Sequence, residues 1–204
     1  MRNFRAYKYV VGIDEVGRGP IAGPLAIGAV MWSADLVPKK IFAGVKDSKK
    51  LSLKKRQEWL KVMEEEKRNQ NLNFSVSFVS EKVIDKRGLS FSLKLGIARS
   101  LKKLSVNGSE CLILLDGGLK ASMEYLHQET IIKGDEKEPI ISLASIVAKI
   151  ARDKRMIRLS IKYPDYGFEA HKGYGTKKHY RAIQKHNISP IHRKSFLSSL
   201  TFIK

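Results

Sequence analysis

The 204-residue chain holds a single cysteine, Cys111, which excludes an internal disulfide framework. Thiolate-bound structural zinc goes with it, and the five histidines show no paired ligand spacing. Lying in the apolar run "ECLILLDGG", Cys111 reads as packing rather than as a reactive thiol. Long apolar runs are missing too. None approaches the roughly 20 residues that span a bilayer, and "MRNFRAYKYVVGIDE" has neither the apolar core nor the cleavage site of a signal peptide. A cytoplasmic protein with no membrane partner is the expectation. Internal repeats and low-complexity tracts are absent, and 43% apolar residues exclude disorder. Acidic residues are scarce, 20 against 39 Lys and Arg; the formal charge of +19 favours a polyanion such as nucleic acid over a small neutral metabolite.

What is present reads as one α/β domain with an appended lobe. Val10, Val11 and Ile13 form a buried strand, and Leu25, Ile27, Ala29 and Val30 its neighbour. Ser52 caps a helix that carries Trp59, Leu60 and Met63 at helical spacing. "LNFSVSFVS" sets Phe74, Val76 and Phe78 against Ser75 and Ser77 with period two, predicting a half-buried strand. Val83, Ile84, Leu89, Leu93, Ile97 and Leu101 mark a helix with a weak point at Gly88. "CLILLDGG" is a buried strand stopping at Asp116, and "ETIIKGDEKEP" a short one stopping near Asp135. A long helix follows, with Leu143, Ile146, Val147 and Ile150 on one face and Ala144, Ala148 and Ala151 on another that permits close packing. The expected order is strand, strand, helix, strand, helix, strand, helix, strand, helix. A basic tail comes last, with one short helix near Lys177 to His186. The expected fold is a mixed five-stranded sheet flanked by helices over residues 1–158, with a small, mostly helical lobe over 159–204 completing a substrate groove.

The carboxylates at strand ends carry the chemistry. Asp14 and Glu15 sit between an apolar strand and a glycine-rich turn, Asp116 follows "LILL", and Asp135 follows "TIIKG". Each suits a plain turn or a solvated loop charge taken singly. If the strands are parallel neighbours, the four converge at one mouth of the sheet, where repulsion calls for cations. An all-oxygen ligand set suits Mg²⁺ or Mn²⁺, and two such ions serve phosphodiester hydrolysis. Asp153 in "IARDKRM", flanked by Arg152 and Lys154, reads instead as an ion pair or backbone contact. The acids with the basic surface suggest a metal nuclease. A non-catalytic nucleic-acid binder, or a nuclease of the recombinase or junction-resolving kind, are the alternatives.

"GIDEVGRGPIAGP", "DSKKLS", "LLDGG", "KGDEKEP", "ASIVAKIARD", "YPDYGFEAHKGYGTKKHYRAI" and "HRKSF" resemble, in order and along nearly the whole chain, the motif blocks of the bacterial ribonuclease HII family of type 2 ribonucleases H. Type 3 relatives usually carry a different residue at the position of Arg18. One departure is visible at Gly88-Leu89, where the family has an asparagine-containing helix start. The resemblance implies a ribonuclease H-like fold acting as a monomer. The activity implied is cleavage on the 5′ side of ribonucleotides in RNA/DNA hybrids, and of single ribonucleotides embedded in duplex DNA, leaving 3′-hydroxyl and 5′-phosphate ends. Asp14, Glu15, Asp116 and Asp135 are the implied catalytic metal ligands. Gly17, Arg18 and Gly19 correspond to the element that senses the ribose 2′-hydroxyl, and glycines suit a backbone that must approach a sugar edge. Tyr174 matches the tyrosine that stacks on the following sugar, although a glycine-flanked tyrosine also suits ordinary packing. Lys49 and Lys50 are candidate phosphate contacts.

Overall fold

The computed structural model describes residues 4–35, 42, 44, 45 and 51–198. Its sheet grows outward from β1 (Tyr9–Val16), buried from Val10 to Asp14. On one side β1 pairs antiparallel with β2 (Leu25–Ser33), which pairs antiparallel with β3 (Leu72–Val79). On the other it runs parallel to β4 (Cys111–Asp116), which runs parallel to β5 (Gln128–Ile131). The order β3-β2-β1-β4-β5 is the expected mixed five-stranded sheet.

Helices cover both faces. α1 (Leu53–Arg68) begins where the Ser52 hydroxyl accepts the Lys55 N–H at 3.2 Å, the cap its sequence calls for. α2 (Glu81–Lys103) kinks at Gly88, whose φ of +78° a residue with a side chain rarely adopts. After the single turn α3 (Gly134–Lys137) comes α4 (Pro139–Lys162), then α5 (Phe168–His171) and α6 (Lys177–His186). Leu143, Ile146, Val147 and Ile150 of α4 pack with Val10, Val30 and Leu114 on one face of the sheet. Ile84, Ile97 and Leu101 of α2 pack with Val11, Ile13, Ile27 and Ile113 on the other. A third cluster joins Ile21, Ala22 and Met156 to Tyr166, Phe168 and Ile183. No helix among the described residues is long and apolar enough to cross a membrane.

Local expectations change between β4 and β5, in β3 and at Asp135. No helix separates β4 from β5: residues 117–127 are turns and irregular chain, with Leu119 and Tyr125 buried without a helical period. In β3 the alternation is present, but the serine face is the more deeply buried. Ser75 and Ser77 are buried against α2, with the Ser75 hydroxyl donating to the Ser100 carbonyl at 2.9 Å, while Phe78 is 37% exposed. Small residues there let helix and strand approach closely, and an added Cβ at Gly96 would lie 2.4 Å from Ile27. Asp135 belongs to α3 rather than to the end of a strand, since β5 stops at Ile131. α4 runs unbroken through residues 158 and 159, where the lobe is expected to begin.

Candidate active site

Parallel pairing sets the site. Ile13 is level with Leu115, so one step further Asp14 on β1 comes level with Asp116 on β4. Both lie on the α4 face, because side chains two apart on a strand share a face and Gly12 meets that helix directly. A Cβ at Gly12 would lie 2.5 Å from the Ile140 backbone. Glu15, next along β1, turns at the strand end to join them, and one carboxylate oxygen from each of Asp14, Glu15 and Asp116 lies within 4.8 Å of the others.

The electrostatics oppose three free charges there. Burial raises the Asp14 carboxyl well above the usual carboxylate range, with Glu15 and Asp116 adding to the rise. Ser145 on α4 and the Glu15 N–H, 2.7 Å from Asp14 Oδ1, favour the charged form less strongly. Glu15 is raised by burial and by Asp116, against the pull of Arg18 at 3.1 Å. Asp14 Oδ2 and Glu15 Oε2 are buried with no hydrogen-bond partner among the described residues. Buried acceptors left open in an all-oxygen cluster fit a hard divalent cation, which would reverse the cost of charging them.

The other wall is the turn after β1. Gly17 has φ +98°, and an added Cβ there would strike the Arg152 side chain at 2.3 Å. Arg193 donates to the carbonyls of Gly17 (2.7 Å), Arg18 (3.0 Å) and Gly23 (3.0 Å). Arg152 donates to those of Pro24 (2.9 Å), Lys172 (3.0 Å) and Ala22 (3.3 Å). Two buried guanidiniums thus hold residues 17–24 by their main chain. Gly19 is different: an added Cβ would meet only Tyr174 Cε1, at 4.0 Å. Its missing side chain is not forced by packing and leaves the turn approachable. Tyr174 is 44% exposed. A cleft of about 340 Å³ is lined by Asp14, Glu15, Gly17, Arg18, Gly19 and Tyr174, with Arg56, Ser145 and Lys149 from α1 and α4.

The family model for Ribonuclease HII matches residues 11–199. The chain belongs to the ribonuclease HII family. The ribonuclease HII of Caldicellulosiruptor bescii is 40% identical over 194 residues, 95% of this chain and 89% of that one. Among solved structures, that of the PCNA:RNase HII complex from Archaeoglobus fulgidus superposes with a TM-score of 0.70 at 26% identity, covering 90% and 93% of the two chains. Ribonuclease H2 from Pyrococcus horikoshii OT3 gives 0.69 at 25% identity, covering 95% and 96%. The chain therefore has the ribonuclease H-like fold and is an endoribonuclease of a family whose chemistry uses divalent metal ions.

Of the residues singled out in its sequence, the structure brings Asp14, Glu15 and Asp116 into one cluster, and Gly17, Arg18, Gly19 and Tyr174 to the adjoining cleft. Asp135 is buried but outside the three-carboxylate cluster. It is tied in through its neighbour, for the Gly134 N–H donates to Asp116 Oδ1 at 2.6 Å. Lys49 and Lys50 lie outside the described residues. Asp153 forms an ion pair with Lys149 at 2.9 Å. Sequence reasoning missed Ser145 and Lys149; for Lys149 the i, i+4 spacing with Asp153 was the available signal. It also missed Arg152 and Arg193, which look like ordinary surface charges in a basic chain.

Proposed function

We propose that Asp14, Glu15 and Asp116, with Asp135 beside them, hold Mg²⁺ or Mn²⁺, and that the chain acts as a monomer on RNA/DNA hybrids and on duplex DNA containing single ribonucleotides. Cleavage falls on the 5′ side of the ribonucleotide. The observation that carries this reading is the adjacency, in one cleft, of a buried carboxylate cluster and an approachable glycine turn faced by an exposed tyrosine. When bound, the ions supply the Lewis acidity for phosphodiester hydrolysis by water. Water as nucleophile leaves a 3′-hydroxyl and a 5′-phosphate. Gly17, Arg18 and Gly19 meet the ribose 2′-hydroxyl, which distinguishes RNA from DNA. Tyr174 stacks on the following sugar. Arg18 offsets the charge of Glu15, and Lys149, held by Asp153, places a cation on the α4 side of the cleft for a substrate phosphate.

A duplex with one ribonucleotide, incubated with Mg²⁺ or Mn²⁺ and again with chelator, tests the proposal. Cutting 5′ of the ribonucleotide only when metal is supplied is expected. An all-deoxy duplex should be cut at least about 10⁴-fold more slowly, because a site built to bond a hydroxyl rejects the analogue lacking it. Equal cutting of both duplexes would favour a junction-resolving nuclease instead.

A further inference from the structure

Tyr174 stands between Gly173, whose φ is +86°, and Gly175, a stretch whose composition does little to fix a backbone. Imidazoles hold it from beneath. The Tyr174 N–H donates to the His171 carbonyl at 3.0 Å, and the Gly173 N–H to His171 Nδ1 at 3.2 Å. The Tyr174 carbonyl lies 2.8 Å from Nδ1 of His179, and Nε2 of His179 lies 3.0 Å from Nε2 of His192. His179 is fully buried and His192 is 2% exposed.

The partners dictate where the protons are. A carbonyl only accepts, so His179 carries its proton on Nδ1 and leaves Nε2 bare. The backbone N–H of Ser189 donates to His192 Nδ1 at 2.8 Å, so that nitrogen is bare and His192 is protonated on Nε2. The Ser189 hydroxyl, also 2.8 Å from Nδ1, can turn its proton toward that nitrogen, and the Ser189 carbonyl at 3.3 Å is the weaker competitor. The two inferences agree: His192 Nε2–H donates to bare His179 Nε2. A single directed chain runs from Ser189 N–H through His192 and His179 to the Tyr174 carbonyl, with both rings neutral. A second proton would break the chain at one of its donors. On His179 Nε2 it would face the His192 N–H, and on His192 Nδ1 it would face the Ser189 N–H. Stacked His171, 4.3 Å from His179 between ring centres, is itself neutral, its Nε2 donating to the Tyr166 carbonyl and its Nδ1 accepting from Gly173. Phe168, edge-on to His179 at 5.4 Å, and Tyr166, 5.0 Å from His192, complete the nest. Packing alone does not require imidazole here, because an apolar side chain fills the same space. The bond to the Tyr174 carbonyl does require a donor.

We propose that His179, oriented by His192, is a positioning residue for Tyr174, fixing the backbone from which its ring meets the sugar beside a ribonucleotide. The inference rests on the proposed role of Tyr174 as a sugar contact. Asparagine can place its amide near the Nδ1 position and keep the donor, whereas glutamine reaches the Nε2 position and loses it. In cleavage of the single-ribonucleotide duplex, Tyr174→Ala should therefore lower kcat/KM, His179→Gln should lower it about fivefold, the loss of one hydrogen bond, and His179→Asn should stay within about twofold of wild type. In the Tyr174→Ala background His179→Gln should have no further effect, since there is no ring left to position. Additive losses would mean a merely structural histidine and overturn the proposal, as would full activity of His179→Gln. Unchanged cleavage by Tyr174→Ala removes the sugar-contact reading first and this inference with it. If the histidine variants fail to fold, the imidazole ¹⁵N shifts of the wild-type protein decide. Proton positions on His179 Nδ1 and His192 Nε2 at pH 7 support the chain, and any other tautomer or a cationic ring overturns it.

Discussion

Asp14, buried to 1% exposure beside two other carboxylates, cannot be charged cheaply without a counter-ion, so the residue that makes the site useful also strains the protein that lacks metal. Asp14→Asn keeps the shape and removes the charge. It should cut turnover by roughly two orders of magnitude or more while leaving hybrid binding largely intact. Its denaturation midpoint in chelator should be no lower than that of wild type. A clearly destabilised Asp14→Asn would count against mutual repulsion at the mouth. The histidines make the opposite pH statement. Burial pushes His179 and His192 down to about 4 from the ordinary 6.5. The unfolded chain thus binds their protons first as pH falls, and stability drops between about pH 6.5 and 4. Asp14 and Glu15, raised in the fold, oppose that fall because the native state takes up their protons more readily than the unfolded chain. Between pH 7, 5.5 and 4.5 the denaturation midpoint of His192→Gln, which lacks one of the depressed groups, should therefore fall less, relative to its own value at pH 7, than that of wild type. Equal slopes would mean that the imidazoles are already protonated in the native protein.

α4 connects the core to the site because two glycines let it lie directly on the sheet. Gly12 meets the Ile140 backbone, and an added Cβ at Gly28 would lie 2.2 Å from the Ala144 carbonyl oxygen. Gly28→Ala should cost about 1–3 kcal/mol by overpacking. It should also lower kcat, because the helix it displaces carries Ser145 and Lys149, whereas a core far from the site would change stability alone. Element type was largely legible in the sequence at this scale. Periodicity gave the strands, the capped α1, the weak point at Gly88 and the Lys177–His186 helix, since each depends on near neighbours. Faces and partners were not legible. The serine face of β3 is buried because small residues of α2 meet it, a fact held by another element. Arg152 and Arg193 become buried only because carbonyls of residues 17, 18, 22, 23, 24 and 172 converge on their guanidiniums. Asp14, Glu15 and Asp116 were legible as strand-end acids, but Asp135 was misplaced on a strand, as a four-residue turn leaves no periodic trace. Arg193→Lys keeps a charge but cannot reach three carbonyls at once in the same geometry. Thermal unfolding should show that variant less stable, with kcat/KM reduced on ribonucleotide substrates because the Gly17–Gly19 turn is released.

Over the whole molecule, a chain of net charge +19 carries an acidic mouth, and the proposed function assigns attraction to the nucleic-acid backbone and choice of the cut site to different groups. In the proposed function lysines and arginines across the surface bind phosphates without regard to the sugar, whereas the turn after β1 and Tyr174 face the sugar without adding much to long-range attraction. Salt should separate the two. On duplex DNA, log K falls against log salt with a slope of about 0.9 per phosphate neutralised, so two neutralised phosphates already weaken binding about tenfold between 50 and 200 mM. KM for the single-ribonucleotide duplex should rise by that factor or more while kcat, measured at saturating substrate, stays nearly constant. Binding of an all-deoxy duplex, followed with chelator present, should weaken along the same slope. The ratio of ribonucleotide to all-deoxy cleavage should then be independent of salt, and the cut should stay 5′ of the ribonucleotide at every concentration. Charge reversal at Lys49 or Lys50 should act like added salt, raising KM without moving the cut. A flat response of KM to salt would remove the backbone-tracking surface. A selectivity that collapses as salt rises would mean instead that charge, and not contact with the 2′-hydroxyl, chooses the site.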